Sequence, residues 1–140
     1  MVFDLVVDYC SYDSDAIETS LQALNPFHEN FKHYLYISTD SVYEASPFTL
    51  GKGEKPYDEF EQIDESLGYL DLNTLTPDQL KTLKKQDSYG FKKLRGESYI
   101  LSQSQLHKFK LTCLRLADVI GPFDETFRFW KYVAWANKQH

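Results

Sequence analysis

Short, nearly unbroken apolar runs alternate along this chain with segments whose apolar residues recur every three or four positions, a pattern that predicts strands separated by helices. Val2-Phe3-Asp4-Leu5-Val6-Val7 is rich in β-branched residues and gives way to the turn formers Ser11-Tyr12-Asp13-Ser14, so it predicts a buried strand ending in a loop. Ala16, Ile17, Leu21 and Leu24 then share one helical face, with caps among Asp13 to Asp15 and a stop at Asn25-Pro26. Tyr34-Leu35-Tyr36-Ile37 begins the unit again and ends at Ser38-Thr39-Asp40. A third strand, Leu111-Thr112-Cys113-Leu114-Arg115-Leu116, ends near Asp118. Between them a helix is predicted from about Asp87 to His107, with Leu94, Ile100 and Leu101 inward, and Phe127, Trp130 and Ala134 predict a final helix that contributes them to the core.

Apolar strands joined through amphipathic helices imply an α/β chain with a parallel sheet, covered on both faces and linked by right-handed crossovers. Residues 44–85 break the rhythm. They hold Gly51-Lys52-Gly53, several prolines and an acidic cluster of Asp58, Glu59, Glu61, Asp64 and Glu65, and they read as a solvated surface insertion in a single domain spanning 1–140. Gly51-Lys52-Gly53 has neither the Gly-Lys-Ser/Thr sequence nor the strand-to-helix setting of a phosphate loop.

The 140 residues carry 15 basic and 21 acidic side chains, a net charge of −6, which argues against a nucleic-acid binder that tracks phosphates. No apolar run reaches the ~20 residues a bilayer span needs, and the first residues lack a secretory signature, so the expected address is the cytosol, with no membrane partner. Cys10 and Cys113 sit in separate apolar runs and read as buried thiols. His28-Glu29 lacks a second histidine four residues on, and His28, His33, His107 and His140 do not cluster with cysteines, so no metal site is expected.

Tyr89 and Lys93 stand four apart on the predicted helix and therefore project from one face. An ammonium beside a phenol favours the phenolate, lowers the tyrosine pKa and suits Tyr89 to general acid/base work. Thr39 ends the preceding strand, at the edge where open α/β sheets bind ligands, and its hydroxyl could hold a substrate oxygen while Tyr89 exchanges a proton.

Tyr34 to Tyr43 (YLYISTDSVY), Tyr89-Gly90-Phe91-Lys92-Lys93 with Glu97, and Leu114 to Pro122 (LRLADVIGP) together resemble the extended short-chain dehydrogenase/reductase family, the NAD-dependent epimerase/dehydratases. Asp4 to Ser11 resembles that family's fourth strand, so the resemblance spans residue 1 to about 123. It implies a partial Rossmann-like sheet, truncated at its N-terminus and lacking the first glycine-rich βαβ unit. Tyr89 would be the acid/base, Thr39 would orient the substrate, Lys93 would also hold the nicotinamide ribose, and Cys10 and Ser11 would line NAD or NADP. A small-molecule substrate, of the carbonyl or nucleotide-sugar kind, and a homodimer are compatible with the family.

The resemblance has gaps. The glycine-rich phosphate turn and the acidic residue for the ribose hydroxyls are absent, Ser41 stands where the dehydratases carry glutamate, and Asp118 replaces an asparagine. Two functions follow: an NAD(P)-dependent enzyme represented by an incomplete or inactive form, and a nonenzymatic module that keeps the fold for binding or regulation.

Overall fold

A computed structural model describes residues 3–24, 31–45, 72, 75–122 and 125–138. Strands β1 (Leu5–Asp8), β2 (His33–Thr39) and β3 (Lys110–Leu116) form a parallel sheet in that spatial order. Helix α1 (Ser14–Leu24) lies between β1 and β2 in sequence, while α2 (Pro77–Gln86) and α3 (Ser88–His107) precede β3 and α4 (Arg128–Asn137) follows it. The chain among the described residues is thus mixed α/β, close to the strand and helix boundaries its periodicity predicts.

The register sets Val6 beside Tyr34 and Leu111, and Asp8 beside Tyr36 and Cys113. Because side chains alternate along a strand, these residues share one face with Ser38 and Arg115. That face carries the core: Ile17 of α1 and Ile100 of α3 close over Tyr34 and Tyr36, with Phe31 and Phe109 packed at one end.

The opposite face departs from expectation. Leu5, Val7, Leu114 and Leu116 are exposed there, where a sheet covered on both sides would bury them. The steps from β1 to β2 and from β2 to β3 run in the same direction, and right-handed crossovers then bring α1 and α3 to the same side. The final helix is corrected likewise: α4 exists, but none of its residues is buried, and Phe127 and Trp130 are 64% and 63% exposed. Helical spacing identifies a face without supplying anything to cover it.

The segment read as a solvated insertion is also only partly so. Within it Thr76 opens α2 with a capping box, accepting from the Gln79 backbone while the Gln79 side chain accepts from the Thr76 N–H, and Pro77 starts the first turn. Leu83 is fully buried beside Ala45 and Phe91. The acidic cluster and Gly51-Lys52-Gly53 lie outside the described residues.

One close approach fixes how α3 meets the strand ends. Asp87 caps the helix by accepting from Gly90 N at 2.6 Å, and a β-carbon on Gly90 would stand 2.1 Å from the Ser41 carbonyl oxygen. The first turn of α3 can therefore touch the 3-10 turn Asp40–Val42 only through glycine. Gly90→Ala should cost about 1–3 kcal/mol in urea unfolding through overpacking. Gly121→Ala, with nothing within 4 Å of the added carbon, should stay within about 0.5 kcal/mol of the parent. Equal effects for the two would contradict the contact.

Candidate functional site at the carboxyl ends of the strands

The first strand ends in a carboxylate that organises the loop after it. Asp8 Oδ1 accepts from the backbone N–H groups of Cys10 and Ser11, both at 2.9 Å, and Oδ2 accepts from the Tyr34 hydroxyl at 2.6 Å. Burial works to raise the Asp8 pKa, but the hydrogen bonds from Ser11, Tyr34 and Cys10 prevail and hold it below the ordinary carboxylate value. Tyr34, desolvated and facing that carboxylate, is pushed far up and stays a donor.

The loop so shaped presents the Ser11 carbonyl inward. It accepts from the Tyr36 hydroxyl at 3.1 Å and from Lys93 Nζ at 2.8 Å. Lys93, 4% exposed, donates a second hydrogen bond to the Ile37 carbonyl at 2.9 Å. Its ammonium also lies 4.8 Å from the Tyr36 ring centre and 5.1 Å from that of Tyr12, within reach of cation–π attraction. Desolvation lowers the Lys93 pKa, with Asp8 and Glu97 acting in the opposite sense.

Tyr89 lies one turn before Lys93 on α3, 44% exposed, with the Thr39 hydroxyl near enough to favour its phenolate. Thr39 also caps the 3-10 turn by accepting from Ser41 N at 3.3 Å. The site therefore brings Thr39, Tyr89, Lys93 and Ser11 around the ends of β1 and β2. The side chain of Cys10 is exposed beside them, which corrects its reading as a buried thiol. Cys113 is half-buried, and desolvation first, then Glu97, push its thiol up to about 12.

The electrostatics differ from the simple pairing of phenol and ammonium. Burial and the neighbouring Tyr12 phenol raise the Tyr89 pKa despite the opposing influence of the nearby Thr39 hydroxyl, and the Lys93 charge is directed to backbone carbonyls. Tyr12 stands against both groups, its ring centre 6.0 Å from that of Tyr89.

One turn beyond Lys93, Glu97 forms a buried pair with Arg115, whose Nη2 lies 2.6 Å from Oε2 and whose Nε bridges both oxygens. The guanidinium also stacks 4.9 Å from the Tyr43 ring centre, so β3, α3 and the chain after β2 meet at one ion pair. Among the described residues, no three His, Cys, Asp or Glu side chains gather where a metal could be held, and His33 instead contacts the Thr112 hydroxyl at 2.9 Å.

Asp8, Tyr12 and Tyr36 are site-shaping residues that the sequence reading did not single out. Asp8 left a signal: an acid closing an apolar strand, immediately before a turn whose N–H groups it can accept from. Comparison with protein-family models, curated proteins and solved structures finds no match to this chain.

Replacing Asp8 with asparagine should lower stability at pH 7 by about 1–3 kcal/mol, the range for weakening charge-assisted hydrogen bonds in a buried site. A depressed carboxyl pKa contributes stability that is complete above the ordinary value of 3.8 and is lost as pH falls below it. The gap between wild type and Asp8→Asn should thus hold constant from neutral pH to about 5 and close at lower pH. A gap independent of pH across that acid range would show that the carboxylate charge is not what matters.

Proposed function

We propose that the chain is the substrate-side part of an NAD(P)-dependent oxidoreductase, epimerase or dehydratase of the extended short-chain dehydrogenase/reductase kind, with a Rossmann-like sheet. The observation that carries this reading is the placement of Tyr89 near Thr39 at the carboxyl ends of parallel strands, with Lys93 one helical turn away. The residues fit one end of the dinucleotide. An ammonium has three N–H donors and Lys93 commits two, so a third is free for a ribose hydroxyl, while Cys10 and Ser11 border the same strand end. The pyrophosphate end is not provided for, because the six glycines of the sequence form no Gly-x-x-Gly-x-x-Gly turn.

When bound, the nicotinamide would supply hydride chemistry. The residues of this chain supply the proton: the Tyr89 phenol gives it to, or takes it from, the oxygen of a carbonyl or nucleotide-sugar substrate, and the Thr39 hydroxyl orients that oxygen. Lys93 stiffens the floor of the site and adds positive charge. The open sheet face supports reading the chain as part of a larger sheet that is incomplete or inactive alone, and free thiols suit a cytosolic address. The raised Tyr89 pKa and the engagement of Lys93 with carbonyls favour the second reading, a nonenzymatic binding module built on the same residues.

Amide chemical shifts during titration test the proposal. Nicotinamide mononucleotide and NAD should move the resonances of Cys10, Ser11 and Tyr89 with equally weak affinity, in about the millimolar range. Tyr89→Phe should change that affinity by less than about twofold, since its hydroxyl serves proton transfer. No movement at those residues up to about 10 mM, or NAD binding tenfold or more tightly than the mononucleotide, would overturn the proposed division of the cofactor site.

A further inference from the structure

The side of α3 turned away from Tyr89 and Lys93 carries Phe91, Arg95, Ser98 and Ser102, a stripe at intervals of four, three and four residues. Across from it α2 presents Lys81 and Lys84, and between the helices lies a cleft of about 580 Å³. Its described walls combine three cations with the hydroxyls of Ser98 and Ser102, and they include no acidic side chain, in a chain whose net charge is −6. Among the described residues, none of Lys81, Lys84 and Arg95 forms an ion pair; Arg95 makes only a 3.3 Å hydrogen bond to the Ser14 hydroxyl. Leu80, Phe91 and Tyr99 add apolar surface beside the charges.

We propose that this cleft binds a phosphate monoester with an apolar or planar organic group. A phosphate dianion matches several cations at once, and Arg95 can meet it with two parallel N–H donors while the Ser98 hydroxyl reaches a remaining oxygen; the Ser102 hydroxyl, which donates to the Tyr99 carbonyl at 2.7 Å, borders the same wall. The volume exceeds what a bare phosphate fills and falls in the range of small-molecule pockets, so the apolar wall has a role only if the ester carries a group to cover it. The site is separate from the strand-end cluster, and its occupation does not depend on the reaction proposed there.

Phenyl phosphate is the probe, followed by amide shifts at Arg95, Ser98 and Ser102. It should bind with a dissociation constant of about 1 mM or lower and more tightly than inorganic phosphate, whereas phenol should not move these resonances at the same concentration. Arg95→Gln and the double variant Lys81→Gln/Lys84→Gln should each weaken it about tenfold, as expected for loss of charge-assisted contacts. Lys131→Gln/Lys138→Gln, on and just after α4, should leave it unchanged. Vesicles containing phosphatidic acid separate the sources of the ester: sedimentation with them, abolished by the same variants, assigns a lipid headgroup, and binding of phenyl phosphate without sedimentation assigns a soluble ester. Equal loss in the α4 variant, or no shift at Arg95, Ser98 and Ser102, would overturn the proposal.

Discussion

The organisation of the strand ends depends on one buried cation. The Lys93 ammonium joins the carbonyl of Ser11, after β1, to that of Ile37, within β2, and its own backbone belongs to α3. Three elements therefore meet at one nitrogen. Burying a charge is costly unless hydrogen bonds and neighbouring charges compensate, and here two carbonyls, two aromatic faces and the more distant Asp8 and Glu97 supply that compensation. An apolar residue at this position would leave both carbonyls without that donor.

Around that cation the polar groups of the sheet face form a connected layer. Asp8 orients the loop and Tyr34, Tyr36 reaches the same Ser11 carbonyl as Lys93, and Glu97 with Arg115 secures α3 to β3. Partnered networks of this kind hold a particular geometry, and among the described residues Ser38 Oγ, on the same face, is buried without a hydrogen-bond partner. The outcome is a rigid base from which Tyr89 and Thr39 project, with Gly90 allowing α3 to approach the 3-10 turn closely enough for them to meet. The placement of Tyr89 near Thr39 thus depends on groups outside the pair.

Much of this was legible in the residues, for physical reasons that also explain the gaps. Apolar runs and the Asp87 to His107 periodicity reveal strands and a long helix because burial of one face imposes those periods. Helix α2 was less visible: its sequence, PDQLKTLKKQ, carries few apolar residues, and the capping box at Thr76 is its clearest mark. The spacing of Tyr89 and Lys93 puts them on one side of a helix, but it cannot show that the ammonium turns to partners 82 and 56 residues away in sequence. The exposure of α4 and of the second sheet face was hidden for a related reason. Periodicity describes the element, while burial depends on what lies opposite.

The most direct measurement is an NMR titration of the Lys93 side chain, with nuclear Overhauser contacts recorded to the surrounding rings. An ammonium held between Ser11 and Ile37 should titrate below the ordinary lysine value, because desolvation prevails there, and should contact both Tyr12 and Tyr36. A Lys93 that titrates as an exposed lysine and contacts neither ring would contradict the buried cation on which the geometry of the strand ends depends.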